Sequence, residues 1–112
     1  MSSAGFPELI KRLPEADVPM PGIRGWLSQG TDHQVMFFEI EPTAKVPPHA
    51  HGGQAGVIVS GEMELTIGGQ TRRYGPGDFY DIPAGVEHSA VFLSHFRAID
   101  MFADVDRYRV KK

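Results

Sequence analysis

The residues of this chain with chemistry to offer are His49, His51, Gln54 and His88, with Asp100 further on. Side chains two apart on an extended segment point to the same face, so His49 and His51 can bring two imidazoles to one point. Pro47-Pro48 stiffens the approach to the pair. Gly52-Gly53 lets the chain turn sharply enough to carry Gln54 toward the same centre. His88 is distant in sequence but follows Pro83-Ala84-Gly85, a turn that starts a strand running antiparallel past the first, with Ala90 and Phe92 on its face as an apolar floor. A His-x-His pair alone is compatible with a metal site or with two structural histidines. His33 and His95 sit in polar or turn contexts and read as structural or exposed. Asp100 alternates onto one face with Phe96, Ala98 and Phe102, an unusual place for a carboxylate without a task. It is either bonded to backbone amides or an arginine, or it is a proton-transfer group whose pKa is raised by apolar neighbours.

The elements that must hold these residues are strands. From Pro42 onward glycine and proline recur every several residues, cutting the chain into segments too short for helices. Gln34 to Glu41 alternates, with Met36, Phe38 and Ile40 facing the interior. Val57 to Ser60 leads through Gly61 into Glu62 to Ile67, where Met63, Leu65 and Ile67 face inward. Gly68-Gly69 closes a hairpin to Thr71–Tyr74, and Gly75-Pro76-Gly77-Asp78 turns into Phe79–Ile82. His88 to Leu93 and Phe96 to Phe102 form a last pair, tightly joined at Ser94-His95. Trp26 and Arg24 share one face of a strand near Gly22, and Tyr80 shares a face with Ile82. The residues alone leave open whether these line a pocket or pack outside it.

This pattern predicts an all-β single domain with jelly-roll topology, closed as a barrel that removes exposed sheet edges. Residues 23–112 make the barrel. Residues 1–22, broken by Pro7, Pro14, Pro19 and Pro21, make an arm with one short helical turn between Glu8 and Leu13, packed on the barrel or on a partner subunit. A chain of 112 residues has room for one such core.

Formal net charge is −3, which leaves no electrostatic footprint for nucleic acid. Arg107, Arg109, Lys111 and Lys112 form a local basic tail, read as a solvated terminus. With no cysteine, thiolate sites are excluded and imidazole, carboxylate and amide remain as strong ligands. No apolar run approaches the roughly 20 residues of a membrane span, and the N-terminus has no signal pattern. The expectation is a cytoplasmic protein without membrane or nucleic-acid partners.

The spacing of these motifs resembles that of the cupins. His49-Ala50-His51, Gln54 and Gly61 reproduce the second half of their first motif, and Gly77, Pro83-Ala84-Gly85 and His88 match their second in register. The departures are Thr43 and Phe92, which stand where a glycine and an asparagine are expected, and Gln54, which replaces a glutamate and lies one residue nearer the second histidine. The resemblance implies one divalent transition metal per chain, zinc, nickel, manganese, iron or copper, held by His49, His51, Gln54 and His88. Three neutral imidazoles and a neutral amide leave the ion's charge uncompensated, making it a strong Lewis acid suited to an anionic ligand. The set lacks the two-histidine, one-carboxylate triad of non-haem iron oxygenases.

The glutamine, with Val-Ser-Gly-Glu, Leu-Thr-Ile-Gly-Gly, Ile-Pro-Ala-Gly-Val-Glu-His and a late Asp-x-Phe, is similar to the KdgF-like cupins of uronate breakdown. That resemblance implies conversion of an unsaturated cyclic uronate to its open-chain keto form. Asp100 would relay the proton, Phe102 would wall the sugar ring, and Arg107 would stand for an arginine expected one residue earlier. The other activities open to such a cupin are a dioxygenase or an isomerase acting on a different small molecule, and binding without turnover. Small cupins pair through an N-terminal strand, which implies a homodimer.

Overall fold

The computed structural model describes residues 5–112; the first four residues of the arm lie outside them. After the short helix α1 (Glu8–Lys11), nine strands follow in order. They are β1 (Ile23–Gln29), β2 (Gln34–Ile40), β3 (Lys45–His49), β4 (Gln54–Ser60), β5 (Met63–Ile67), β6 (Gln70–Tyr74), β7 (Phe79–Ile82), β8 (His88–Phe92) and β9 (Phe96–Phe102). They form two sheets ordered β1-β2-β9-β4-β7 and β3-β8-β5-β6, with every pairing antiparallel.

Alternation decides which residues enter the space between the sheets. Met36, Phe38 and Ile40 of β2, Ile58 of β4 and Ala98 of β9 meet Met63 and Leu65 of β5 and Ala90 and Phe92 of β8 in one buried cluster. Gly68 and Gly69 both take positive φ (56° and 83°), as a two-residue turn twisted to suit its strands requires, and the ladder closes at Ile67↔Gln70.

Two expectations are corrected. The sheets face one another without a continuous hydrogen-bonded closure, so the architecture is a jelly-roll sandwich with four edge strands. Three of those edges are protected otherwise: β3 carries Pro47 and Pro48, β6 carries Arg72 and Arg73, and β1 is met by the arm, where Ala16 N donates to Gly25 O and Leu27 N to Pro14 O. In addition, β8 and β9 are not a hairpin. The bend between them carries the chain from one sheet to the other, so β8 pairs with β3 and β5 while β9 lies between β2 and β4. Phe92 and Phe96 flank the bend, both buried with ring centroids 5.0 Å apart. Alternation fixes the face each residue presents, not the strand it pairs with.

The arm packs on its own chain. Phe6 meets Phe37 edge to face at 5.7 Å, and Trp26, on the outer face of β1, is buried beneath Lys11 and Arg24. Val18 and Met20 turn back to pack against the core. The C-terminal segment closes beside the arm: Asp17 N donates to Arg109 O and Lys111 N to Glu15 O. Arg109 and Lys111 therefore belong to a strap rather than a free basic tail. Among the described residues, no helix is long and apolar enough to cross a membrane.

Candidate metal centre and the carboxylate beside it

His49 ends β3 directly opposite His88 at the start of β8, and His51 lies just beyond the strand. The ring centroids are 4.2 Å (His49–His88), 5.1 Å (His49–His51) and 4.8 Å (His51–His88) apart, and one ring nitrogen from each falls within 4.8 Å of the others. Each Nδ1 faces a backbone carbonyl: Pro47 O for His49 at 2.9 Å, Gly52 O for His51 at 2.8 Å and Val86 O for His88 at 3.0 Å. A carbonyl only accepts, so each Nδ1 carries a proton, and in the neutral ring that tautomer leaves the lone pair on Nε2, as a metal ligand needs. His88 Nε2 is buried with no hydrogen-bond partner. Burial is the main influence holding His51 and His88 below the ordinary histidine pKa, and the positive charge of Arg107 adds to it. Three convergent imidazoles, one with an orphaned buried nitrogen, fit a divalent transition metal.

Gln54 opens β4 and lines the same cavity. Its Nε2 donates to Asp100 Oδ2 at 2.6 Å, leaving the carbonyl oxygen as the end available to an ion. Asp100 is 1% exposed. Its partners are neither of those expected from sequence, backbone amides or an arginine. Besides Gln54, the Tyr80 hydroxyl donates to Oδ1 at 2.7 Å and Oδ2 at 2.8 Å. Burial pushes the carboxyl up to about 6, against the downward pull of the Tyr80 and Gln54 donors. The Tyr80 hydroxyl is itself raised well above its ordinary value by burial and by Asp100, so it stays protonated as a donor.

Arg107 also reaches the cavity. Its guanidinium lies 4.9 Å from the Tyr108 ring, and Nε is buried without a hydrogen-bond partner. Phe102 is placed differently from the sugar wall that the resemblance implied. It is 1% exposed and packs behind His51 at 5.7 Å, while Tyr108, 5.3 Å from Phe102, lines the cavity instead. Tyr80 lines the cavity and Trp26 lies outside it. His33 and His95 stand apart from the trio, each beside an acidic side chain, Asp32 and Glu41. The cavity, about 80 Å³, holds several waters or the polar end of a small ligand.

Sequence reasoning did not single out Tyr108 or Gln34. Gln34 is fully buried and clamps the Tyr108 backbone from both sides, Nε2 to its carbonyl at 2.8 Å and Oε1 from its amide at 2.9 Å. The signal was a glutamine in the inward phase of β2, ahead of Met36, Phe38 and Ile40.

The fold and this histidine centre define a cupin. A model of the cupin domain matches residues 36–102, more than half of the chain, and the chain belongs to that family. Among solved structures it is similar to KdgF from Halomonas sp., with TM-score 0.75 and 29% identity over 89% of this chain and 94% of that one. An RmlC-like cupin from Shewanella frigidimarina NCIMB 400 shares the fold, with TM-score 0.78 and 21% identity over 96% and 95% of the two chains. H2HPP isomerase of Bacillus subtilis is 35% identical over 71 residues, which are 62% of this chain and 30% of that protein. The chain thus spans less than a third of that relative's length.

Proposed function

We propose that this cupin is a metal-dependent enzyme that opens the ring of an unsaturated uronate to give the linear keto sugar. The observation that carries the reading is the fully buried Asp100 carboxylate, hydrogen-bonded to Gln54 in the same cavity as His49, His51, His88 and Arg107. Held by the three imidazoles and the Gln54 carbonyl, a divalent ion would supply Lewis acidity toward a substrate oxygen. Arg107 offers its unpartnered Nε to the substrate carboxylate. Asp100 takes the proton of the anomeric hydroxyl as the bond between anomeric carbon and ring oxygen breaks and the aldehyde forms. It returns a proton to the alkene carbon as the enol becomes a ketone. Atoms and electrons balance without a co-reactant. A carboxyl with pKa near 6 is suited to both halves of that transfer. Phe102 braces His51 from behind, and Tyr108 presents a ring to the sugar.

The test is elemental analysis of purified protein followed by a ring-opening assay on unsaturated galacturonate, read as loss of the alkene absorbance. Asp100→Asn with full metal content and full rate would remove Asp100 from the mechanism. The likeness to H2HPP isomerase favours a second reading, isomerisation of another small anion by the same proton transfer. That reading gains if the metal-loaded protein binds uronates but leaves them unchanged over hours and converts other unsaturated carboxylates. A protein that converts none of them is a binding cupin.

The protein is also proposed to be a cytoplasmic homodimer. The outer face of β9, β4 and β7 supports pairing with a second copy. Val57 lies between Ile99 and Phe79 there, and Ala55 beside Met101, while Phe79 is 77% exposed and Met101 50%. A monomer by light scattering at high concentration would refute the pairing.

A further inference from the structure

Tyr80, Gly56 and Asp100 occupy one row across three strands: Gly56 of β4 is paired with Tyr80 of β7 on one side and with Asp100 of β9 on the other. Neighbouring strands lie about 4.8 Å apart, so the Tyr80 phenol must cross the width of β4 to reach the carboxylate. It can do so because residue 56 has no side chain. A Cβ at Gly56 would lie 2.5 Å from Tyr80 Oη and 2.6 Å from Cε1, and would also clash with Cζ. Real Cβ atoms essentially never approach other atoms so closely, so a side chain there would push the hydroxyl away from Asp100.

The hydroxyl contacts both carboxylate oxygens, at 2.7 Å and 2.8 Å, and so fixes the rotation of the carboxylate plane. Oδ2, held in that plane, accepts from Gln54 Nε2 at 2.6 Å. An amide pinned by its nitrogen has only its oxygen left to present. The contacts thus run in series from Gly56 through Tyr80 and Asp100 to Gln54, and end among the three imidazoles.

We propose that Tyr80 is a positioning residue for the metal centre. By locking the Asp100 carboxylate it makes Gln54 present its oxygen to the ion, and Gly56 is the gap that admits it. The proposal rests on the metal-binding part of the reading above and not on the identity of the substrate.

The test measures the dissociation constants of Ni(II) and Zn(II), by chelator competition, for the metal-stripped wild type, Tyr80→Phe, Gln54→Leu and the double variant. Tyr80→Phe keeps the ring and removes only the hydroxyl. Loss of an outer-shell partner weakens metal affinity by roughly 10- to 100-fold, so Tyr80→Phe is expected to bind about tenfold more weakly. Because Tyr80 acts through Gln54, removing the hydroxyl in the Gln54→Leu background is expected to cost nothing more. Gly56→Ala, if it folds, behaves like Tyr80→Phe. An affinity for Tyr80→Phe equal to wild type overturns the proposal, as does a tenfold loss that persists undiminished in the Gln54→Leu background, the mark of a merely structural residue. A wild type that binds neither ion would overturn the metal reading itself and this proposal with it.

Discussion

Replacing Asp100 by asparagine is expected to change the pH dependence of folding in a way no surface carboxylate can. The group is fully buried and its carboxyl is raised from 3.8 to about 6. That is roughly two units, and at about 1.36 kcal/mol per unit it amounts to about 3 kcal/mol between the two protonation states. The folded chain holds this proton more tightly than the unfolded chain. Its contribution to stability is therefore complete below the unfolded value near 4 and is lost as pH rises through about 6. His51 and His88 act in the opposite sense, because their folded values are lowered and their contribution is lost as pH falls below about 6.5. Subtracting the variant's stability from that of wild type at each pH cancels the histidines. The assay is urea denaturation in the presence of a chelator from pH 4 to pH 7, followed by the fluorescence of Trp26, the single tryptophan. The wild-type-minus-variant difference is expected to fall by roughly 2 kcal/mol across that range, the part of the total that lies above pH 4. A flat or rising difference would refute the reasoning. It would mean that the Tyr80 and Gln54 donors outweigh burial and keep Asp100 ionised throughout.

Three further outcomes follow from the contacts around the site. Gln34→Leu leaves the amide and carbonyl of Tyr108 without their partner, at a cost of roughly 2–4 kcal/mol. Hydrogen exchange at the Tyr108 amide should accelerate, and unchanged protection there would show that the clamp does not hold the strap. Arg107→Met keeps the apolar stem and removes the charge beside the histidines, so metal affinity should not fall while KM for a carboxylate substrate rises at least tenfold. A loss of metal with KM unchanged would place Arg107 in the metal centre instead. Trp26→Ala opens a void beneath the arm and should cost about 3–5 kcal/mol, with the arm becoming sensitive to protease before the sandwich does; simultaneous cleavage of both would count against a separately packed arm.

Periodicity and turn chemistry made much of the fold legible. The inward phase of β2 and β5, the double-glycine hairpin and the turn before β7 each depend on residues near one another in the chain. What the sequence did not show was long-range pairing. Nothing in His88–Phe102 distinguishes a hairpin from a crossing between sheets, because both bury Phe92 and Phe96. The histidines were legible because two are adjacent in register and the third follows a proline-glycine turn. Tyr80 was ambiguous because its hydroxyl reaches Asp100 only across a glycine on an intervening strand, a relation that exists in three dimensions alone. Trp26 was ambiguous because its cover comes from Lys11 and Arg24, neither of them an apolar neighbour that a pattern would mark.

Gln54 and Asp100, read separately from the sequence, prove to be one feature. Asp100 Oδ2 lies 2.6 Å from the side-chain nitrogen of residue 54. A glutamate there would set a second carboxylate against the first in a buried site, where two like charges cannot both be kept and one group must stay protonated. Glutamine avoids the conflict by being polar at both ends: its N–H satisfies the carboxylate and its carbonyl would remain for an ion. The departure from the glutamate expected in the first cupin motif is therefore consistent with the buried carboxylate of Asp100 standing beside residue 54. A divalent ion held by the three imidazoles and the Gln54 carbonyl would find its nearest compensating charge one hydrogen bond further out, on Asp100 when that group is ionised.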